Sequence, residues 1–149
     1  MSYEIQELLN PTDEEIKLFS SIEEECFNED EAFSDEDMPA LVRGSQIKLL
    51  IYEHGNLCGY LLGRYAFGTA YLYSIAVLPF HQGKGVGRAL FEQMKHYLFP
   101  LDCKVITSHC GVENVTSEKM HLAFGFTPVG YEPDFYGDNK DAVSWRLEL

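Results

Sequence analysis

The 149-residue chain carries 24 acidic against 11 basic side chains, giving a net charge of −13 with histidine neutral, and 46% of it is hydrophobic. That charge excludes a nucleic-acid surface, which needs a basic face, and the apolar content excludes overall disorder. No apolar run reaches the roughly 18 residues of a membrane span, and the acidic N-terminus is unlike a secretory signal, so one cytoplasmic domain over residues 1–149 is expected. Cys26, Cys58, Cys103 and Cys110 form no Cys-x-x-Cys pair, and no histidine spacing completes a zinc site. Reduced, mostly buried thiols and no metal are therefore expected. The charge is uneven, with fourteen Asp or Glu against one Lys in residues 1–37. Such a stretch is either a solvated acidic face or a negative field that draws a cationic amine or basic peptide.

Taken in order, Tyr3 to Leu8 alternates and predicts an opening edge strand. Asn10-Pro11 stops it, and Thr12 with Glu15 forms a capping box for a helix reaching about Cys26, with Ile16, Phe19 and Ile22 on its inner side. Phe27 to Asp37 has no clear period and reads as a loop or short irregular helix. Asp35-Glu36-Asp37 is placed to cap a second short helix reaching Val42. Ile47–Tyr52 and Leu57–Leu62 flank His54-Gly55-Asn56, a hairpin with a tight turn. Gly68-Thr69 leads into a further antiparallel strand, Tyr71 to Leu78. Val86, Leu90, Met94 and Tyr97 recur at helical spacing over Gly85–Leu98, with Pro100 beyond the end. Lys104–His109 is a strand. Asn114–Phe124 is a helix closed by Gly125 in the position of a glycine cap. Phe126–Tyr131 and Ala142–Leu149 are the last strands, giving a mixed sheet with helices on both faces.

The stretch from Ser74 to Leu90 joins a buried strand, a turn at Pro79, a loop with Gly83, Gly85 and Gly87, and a helix N-terminus. Glycines that accept positive φ, followed by unpaired helix amides, make a cradle for a phosphate-bearing ligand, with Lys84 and Arg88 able to add charge. The loop is not a nucleoside-triphosphatase loop, because Gly83-Lys84 is followed by Gly85 rather than Ser or Thr. Nor does it have the glycine spacing of a dinucleotide fingerprint. A plain strand-to-helix turn with no ligand is the competing reading.

Gln82-Gly83-Lys84-Gly85-Val86-Gly87 resembles the Gln/Arg-x-x-Gly-x-Gly/Ala signature of the GNAT N-acetyltransferase superfamily. Tyr71–Val77 followed by Pro79 is similar to that family's fourth strand, and Gly125-Phe126 to the Gly-Phe closing its coenzyme half. The likeness covers residues 45–149 well and the first 44 in outline. It implies an α/β fold, a mixed and mostly antiparallel sheet of about seven strands flanked by about four helices. It also implies acetyl-CoA as cosubstrate, with Gln82, Gly83, Lys84, Gly85, Val86, Gly87 and Arg88 around the pyrophosphate. Backbone of Ile75, Ala76 and Val77, on a bulged strand, would hold the pantetheine and acetyl oxygen, with Asn114 nearby.

At the position where the family commonly has a tyrosine acid, four residues before Gly125, this chain has His121. An imidazolium can protonate a leaving thiolate, so His121 is a candidate acid; a packing histidine is the alternative. His109 ends its strand where ribosomal-protein-alanine N-acetyltransferases of this superfamily place a glutamate base, which makes it the candidate base, against a backbone-bonded strand-end histidine. The two are expected to face one cleft. Asp134-Phe135-Tyr136 and Asp141-Ala142 resemble the closing hairpin of the same subgroup, placing Tyr136 at the acceptor site. Tyr73, rather than Tyr71, is assigned to the cleft, while His81 and His96 receive no role. The resemblance thus implies direct acetyl transfer to a primary amine, either a protein N-terminus or lysine or a small cationic amine. A non-catalytic acyl-CoA binding or sensing module is the alternative, and a nucleotide-phosphate binder the third. Members of the family often pair as dimers, but no periodicity here marks an interface.

Overall fold

A computed structural model describes residues 2–27 and 33–149. Part of the irregular stretch expected from Phe27 to Asp37 lies outside the described residues. Seven strands form one sheet in the order β1-β2-β3-β4-β5-β7-β6. They are β1 (Glu4–Glu7), β2 (Ile47–Glu53), β3 (Asn56–Ala66), β4 (Thr69–Val77), β5 (Val105–Gly111), β6 (Thr127–Glu132) and β7 (Ala142–Glu148). All neighbours pair antiparallel except β4 and β5. That one parallel pair needs a crossover, and α3 (Val86–Leu98) supplies it. The other helices are α1 (Asp13–Cys26), α2 (Met38–Gly44) and α4 (Val115–Ala123).

Local sequence explains the ends of these elements. Thr12 Oγ1 accepts the Glu15 N–H at 3.1 Å while Glu15 Oε1 accepts the Thr12 N–H at 2.9 Å, so the capping box forms as read. His54 and Gly55 both have positive φ, 51° and 79°, as a two-residue hairpin turn with right-handed strand twist requires. At the end of α4, Gly125 (φ 93°) lets its own N–H reach the Leu122 carbonyl and the Phe126 N–H reach that of His121. This is a Schellman motif. The start of α2 differs from expectation. Asp37 stands at the cap position but makes no side-chain cap bond; instead Ser34 Oγ accepts the Asp37 N–H.

The sheet is covered on both sides, which is why β2 reads as an almost unbroken apolar run. Ile47, Leu49 and Ile51 face α3 together with Leu72, Phe91, Met94 and Trp145. Leu50 faces the other way, with Phe19, Ile22, Met38, Val42 and Tyr60. Full burial of a side chain such as Phe19 or Phe91 contributes about 1.5–3 kcal/mol. Below the sheet, Glu23 of α1 is buried, and its carboxylate accepts from the Tyr60 hydroxyl and the Phe33 N–H. Tyr60 in turn bonds Ser74 at 2.7 Å, so α1 is tied to the middle of β4.

Candidate active site

β4 and β5 run together only from Thr69 to Leu72, opposite Val105 to Ser108. Beyond that point β5 continues against β7, while Tyr73–Val77 keeps its partner only on the β3 side. The cause is visible in the β3–β4 register. Leu62 faces Ser74 and Gly63 faces Leu72, leaving Tyr73 as an extra residue. A bulge of this kind bends its strand and re-phases the side chains. Ala70 and Leu72 belong to the α3-side core before it, and Ile75 and Val77 pack there after it. The backbone of Ile75, Ala76 and Val77 therefore borders a split in the sheet, as the bulged strand of the sequence reading requires.

At the mouth of the split, Gly83 and Gly85 take φ of 76° and 86°, and nothing lies within 4 Å of a Cβ built on either. A side chain there meets backbone strain rather than crowding. Gly85 caps α3 without any side-chain cap bond, and among the described residues the first-turn amides of α3 receive no side-chain oxygen. A loop with this geometry fits a phosphate. The side chains around it are committed elsewhere. Gln82 Nε2 donates to the Val77 carbonyl at 3.0 Å, pinning the loop to the end of β4. Lys84 Nζ lies 4.4 Å from the Phe80 ring centroid, and Arg88 donates to the Ala123 carbonyl at the C-terminus of α4. Arg88 thus reinforces a helix end.

On the face opposite α3 the structure forms a cavity of about 520 Å³ whose walls include Arg64, Tyr71, Tyr73, His109 and Phe135. Tyr71 and Tyr73 both line it, because residues two apart share a strand face. His109 is the centre of a chain of contacts. Its Nε2 lies 2.8 Å from the Glu132 carboxylate and its Nδ1 lies 2.6 Å from the Tyr71 hydroxyl. A carboxylate only accepts, so Nε2 carries the proton and Nδ1 accepts from Tyr71. Phe135 stacks on the imidazole at 4.0 Å and 17°, holding its plane. Burial and the neighbouring Tyr136, Tyr73 and Glu132 raise the Tyr71 pKa. Arg64 donates to the Tyr73 hydroxyl at 2.9 Å. Tyr136 packs edge-on to Phe135, and burial, with Cys110 and Glu132 nearby, pushes its hydroxyl up to about 12. Asp134 and Asp141 shape the loop that carries this pair, with Asp141 accepting the Asp134 N–H at 2.8 Å.

His121 is elsewhere. Alternation along β5 sends Ile106, Ser108 and Cys110 toward α3 and His109 the other way. His121 is on the Ser108 side, 2% exposed, with Nε2 2.8 Å from Ser108 Oγ and Nδ1 2.7 Å from the Ser117 carbonyl. It stacks on Trp145 at 4.9 Å and 16°, and burial lowers its pKa. The expectation that both histidines face one cleft is corrected: they lie on opposite faces of β5. Asn114 caps α4, its Oδ1 accepting the Ser117 N–H at 3.0 Å. Sequence reasoning missed Tyr71, Glu132, Phe135 and Arg64. Tyr71 had a signal in its spacing from Tyr73, whereas nothing local marks Glu132, which β6 brings to His109.

A family model described as the acetyltransferase (GNAT) family matches residues 3–126. An uncharacterised N-acetyltransferase of Methanocaldococcus jannaschii is 30% identical over 90 residues, 60% of this chain and 58% of that protein. A Bacillus subtilis protein, provisionally a ribosomal protein bS18-alanine N-acetyltransferase, is 27% identical over 64% of each chain. The matched part thus spans under two thirds of either relative's length. Among solved structures, the ribosomal-protein-S18-alanine N-acetyltransferase of Escherichia coli superposes with a TM-score of 0.84 at 18% identity, covering 99% of this chain and 94% of the other. A GNAT family acetyltransferase of Elizabethkingia anophelis with acetyl-CoA bound gives 0.78 at 15% identity, covering 99% and 98%. These two likenesses concern the fold.

Proposed function

Because this chain belongs to the GNAT acetyltransferase family, matched over residues 3–126, we propose that it is an N-acetyltransferase moving an acetyl group from acetyl-CoA directly to a primary amine. The observation that carries this reading is the Tyr71–His109–Glu132 chain on the acceptor face of a sheet split beside a glycine loop. In this reading, amides of Gln82–Gly87 and of the α3 N-terminus bind the pyrophosphate. Backbone groups of Ile75, Ala76 and Val77, freed from β5, orient the pantetheine and polarise the acetyl carbonyl. The acetyl-CoA supplies an activated thioester. As the amine nitrogen bonds the acetyl carbon, Tyr71 takes the amine's proton while passing its own to His109 Nδ1, and Glu132 stabilises the imidazolium. The C–S bond then breaks, and coenzyme A leaves as a thiolate that takes its proton from water. A relay of this kind is worth roughly 10²- to 10⁴-fold in rate.

Tyr73 and Tyr136 line the acceptor side. The acceptor is a protein N-terminus or lysine, or a small cationic amine. The acidic first third of the chain and Glu132 support a positive partner, and relatives named for ribosomal-protein alanine support a peptide. His121, sealed in the core, holds α4 against β5 as a positioning residue. That same burial favours the second reading, a non-catalytic acyl-CoA sensing module, since no acid then stands at the tyrosine position of the family.

Thermal unfolding with acetyl-CoA, ATP and NAD separates these readings. A ligand at 100 times its Kd adds about 2.7 kcal/mol, and only acetyl-CoA is expected to do so. Thiol release with N-terminal peptides and polyamines then distinguishes enzyme from sensor. Binding without turnover on any amine would favour the sensor, and no shift with acetyl-CoA would sink both.

A further inference from the structure

Away from the cleft, three side chains of metal-ligating type converge where the β2–β3 hairpin meets the turn after β4. Glu53 ends β2, Cys58 lies within β3 and His81 closes the short 3₁₀ turn at Pro79–His81. One ligand atom of each lies within 4.8 Å of the others. Cys58 is buried, and the His81 and Glu53 side chains are only 13% and 15% exposed.

The histidine is the informative member. Among the described residues, His81 Nδ1 is closed off from solvent yet has no hydrogen-bond partner. The Glu53 carboxylate stands 3.6 Å from it, beyond hydrogen-bond reach. Folded proteins seldom leave a buried ring nitrogen so placed without a reason. A cation between the two supplies one. Zinc bonds to nitrogen, oxygen and sulfur of about 2.0–2.3 Å in tetrahedral geometry set ligand atoms roughly 3.3–3.8 Å apart. The His81–Glu53 separation of 3.6 Å falls in that interval. A thiolate, an imidazole and a carboxylate together suit zinc and disfavour magnesium or calcium.

We propose that Glu53, Cys58 and His81 bind a zinc ion whose fourth position is open to water. It lies apart from the His109 cavity and takes no part in acetyl transfer. It borders the glycine loop, where the Tyr3 hydroxyl already donates to the Lys84 carbonyl at 2.6 Å. The metal adds a second tie, joining the hairpin end to the base of the loop. Sequence spacing hides the site because its ligands come from three separate elements.

The test does not depend on any enzymatic reading. The full chain, stripped with a chelator, is titrated with Co²⁺ as a spectroscopic substitute for zinc. One equivalent is expected to give a thiolate-to-cobalt charge-transfer band that zinc displaces. His81→Gln and Cys58→Ser should each weaken Co²⁺ binding at least tenfold, and Cys58→Ser should abolish the band. Cys103→Ser should leave both unchanged. Circular dichroism of each metal-free variant checks that it folds, and if Cys58→Ser does not, His81→Gln decides. Weak binding of several equivalents with no charge-transfer band would mean an acidic surface only, a band surviving in Cys58→Ser would assign it to another thiol, and undiminished Co²⁺ affinity in a folded His81→Gln would remove the histidine from the site. Each of these outcomes overturns the proposal.

Discussion

Two faces of one strand, β5, each carry a histidine neighbour, and the two differ in every physical respect. On the α3 side, His121 is sealed, one nitrogen bonded to the Ser117 carbonyl a turn earlier in its own helix and the other to the Ser108 hydroxyl of β5, its ring clamped against Trp145. On the other side, His109 borders a cavity and bridges a phenol and a half-exposed carboxylate. Identity of the side chain is the same, but the surroundings suit one to holding the fold and, in the proposed reaction, the other to moving a proton. Position in a family motif pointed to His121; the environment points to His109.

The sharpest way to break this contrast is to exchange the losses. His109→Ala is expected to lower kcat/KM for acetyl transfer by roughly 10²- to 10⁴-fold, with acetyl-CoA stabilisation retained. His121→Ala should instead reduce unfolding free energy by about 3 kcal/mol, through two lost buried hydrogen bonds and a cavity beside Trp145. Thiol-release kinetics and urea unfolding on both variants decide it, and reversed effects would refute the assignment. Tyr71→Phe, which keeps the ring and removes the relayed proton, should lower turnover by about 10- to 100-fold with little change in stability. Gly85→Ala, forcing a side chain to φ of 86°, should cost about 1–2 kcal/mol and weaken acetyl-CoA binding.

The smallest effect is in pH. Burial lowers the His121 pKa, so the folded protein holds it neutral where the unfolded chain takes a proton. Its stability contribution is complete above the unfolded value of 6.5 and is lost as pH falls from there through the lowered folded value. Burial raises the Glu23 pKa despite opposing hydrogen bonds from Tyr60, Phe33 and Ser74. Its contribution therefore runs the other way, complete below the unfolded value and lost as pH rises through the raised one. Stabilities of wild type and His121→Gln from urea unfolding across pH 5–7.5 should converge on the acid side, wild type losing at most about 1.4 kcal/mol per pH unit relative to the variant. Parallel curves would mean that His121 does not titrate in that window.

How much of this was legible in the sequence follows from where the information is stored. Caps and turns are local, so Thr12 with Glu15, the His54-Gly55 turn and Gly125 were readable as they stand. The glycine loop was readable because positive φ at Gly83 and Gly85 selects the residue type directly. The His109 partners were not, since Glu132 reaches it only through the β6–β7 pairing. The face chosen by His121 was hidden too. It depends on which residues of β5 point toward α4, a matter of strand phase that spacing within the helix cannot report.

The bulge at Tyr73 also has a kinetic signature. Amides of Thr69–Leu72 sit between two strands, while those of Tyr73–Val77 have a strand on one side only. In hydrogen exchange, the first group should be slow throughout, and the second should alternate between slow and fast, according to whether each N–H points to β3 or to the split. A ligand that fills the split would quiet the fast ones and leave their neighbours untouched. The exchange pattern along nine residues of β4 would then map the binding groove one amide at a time.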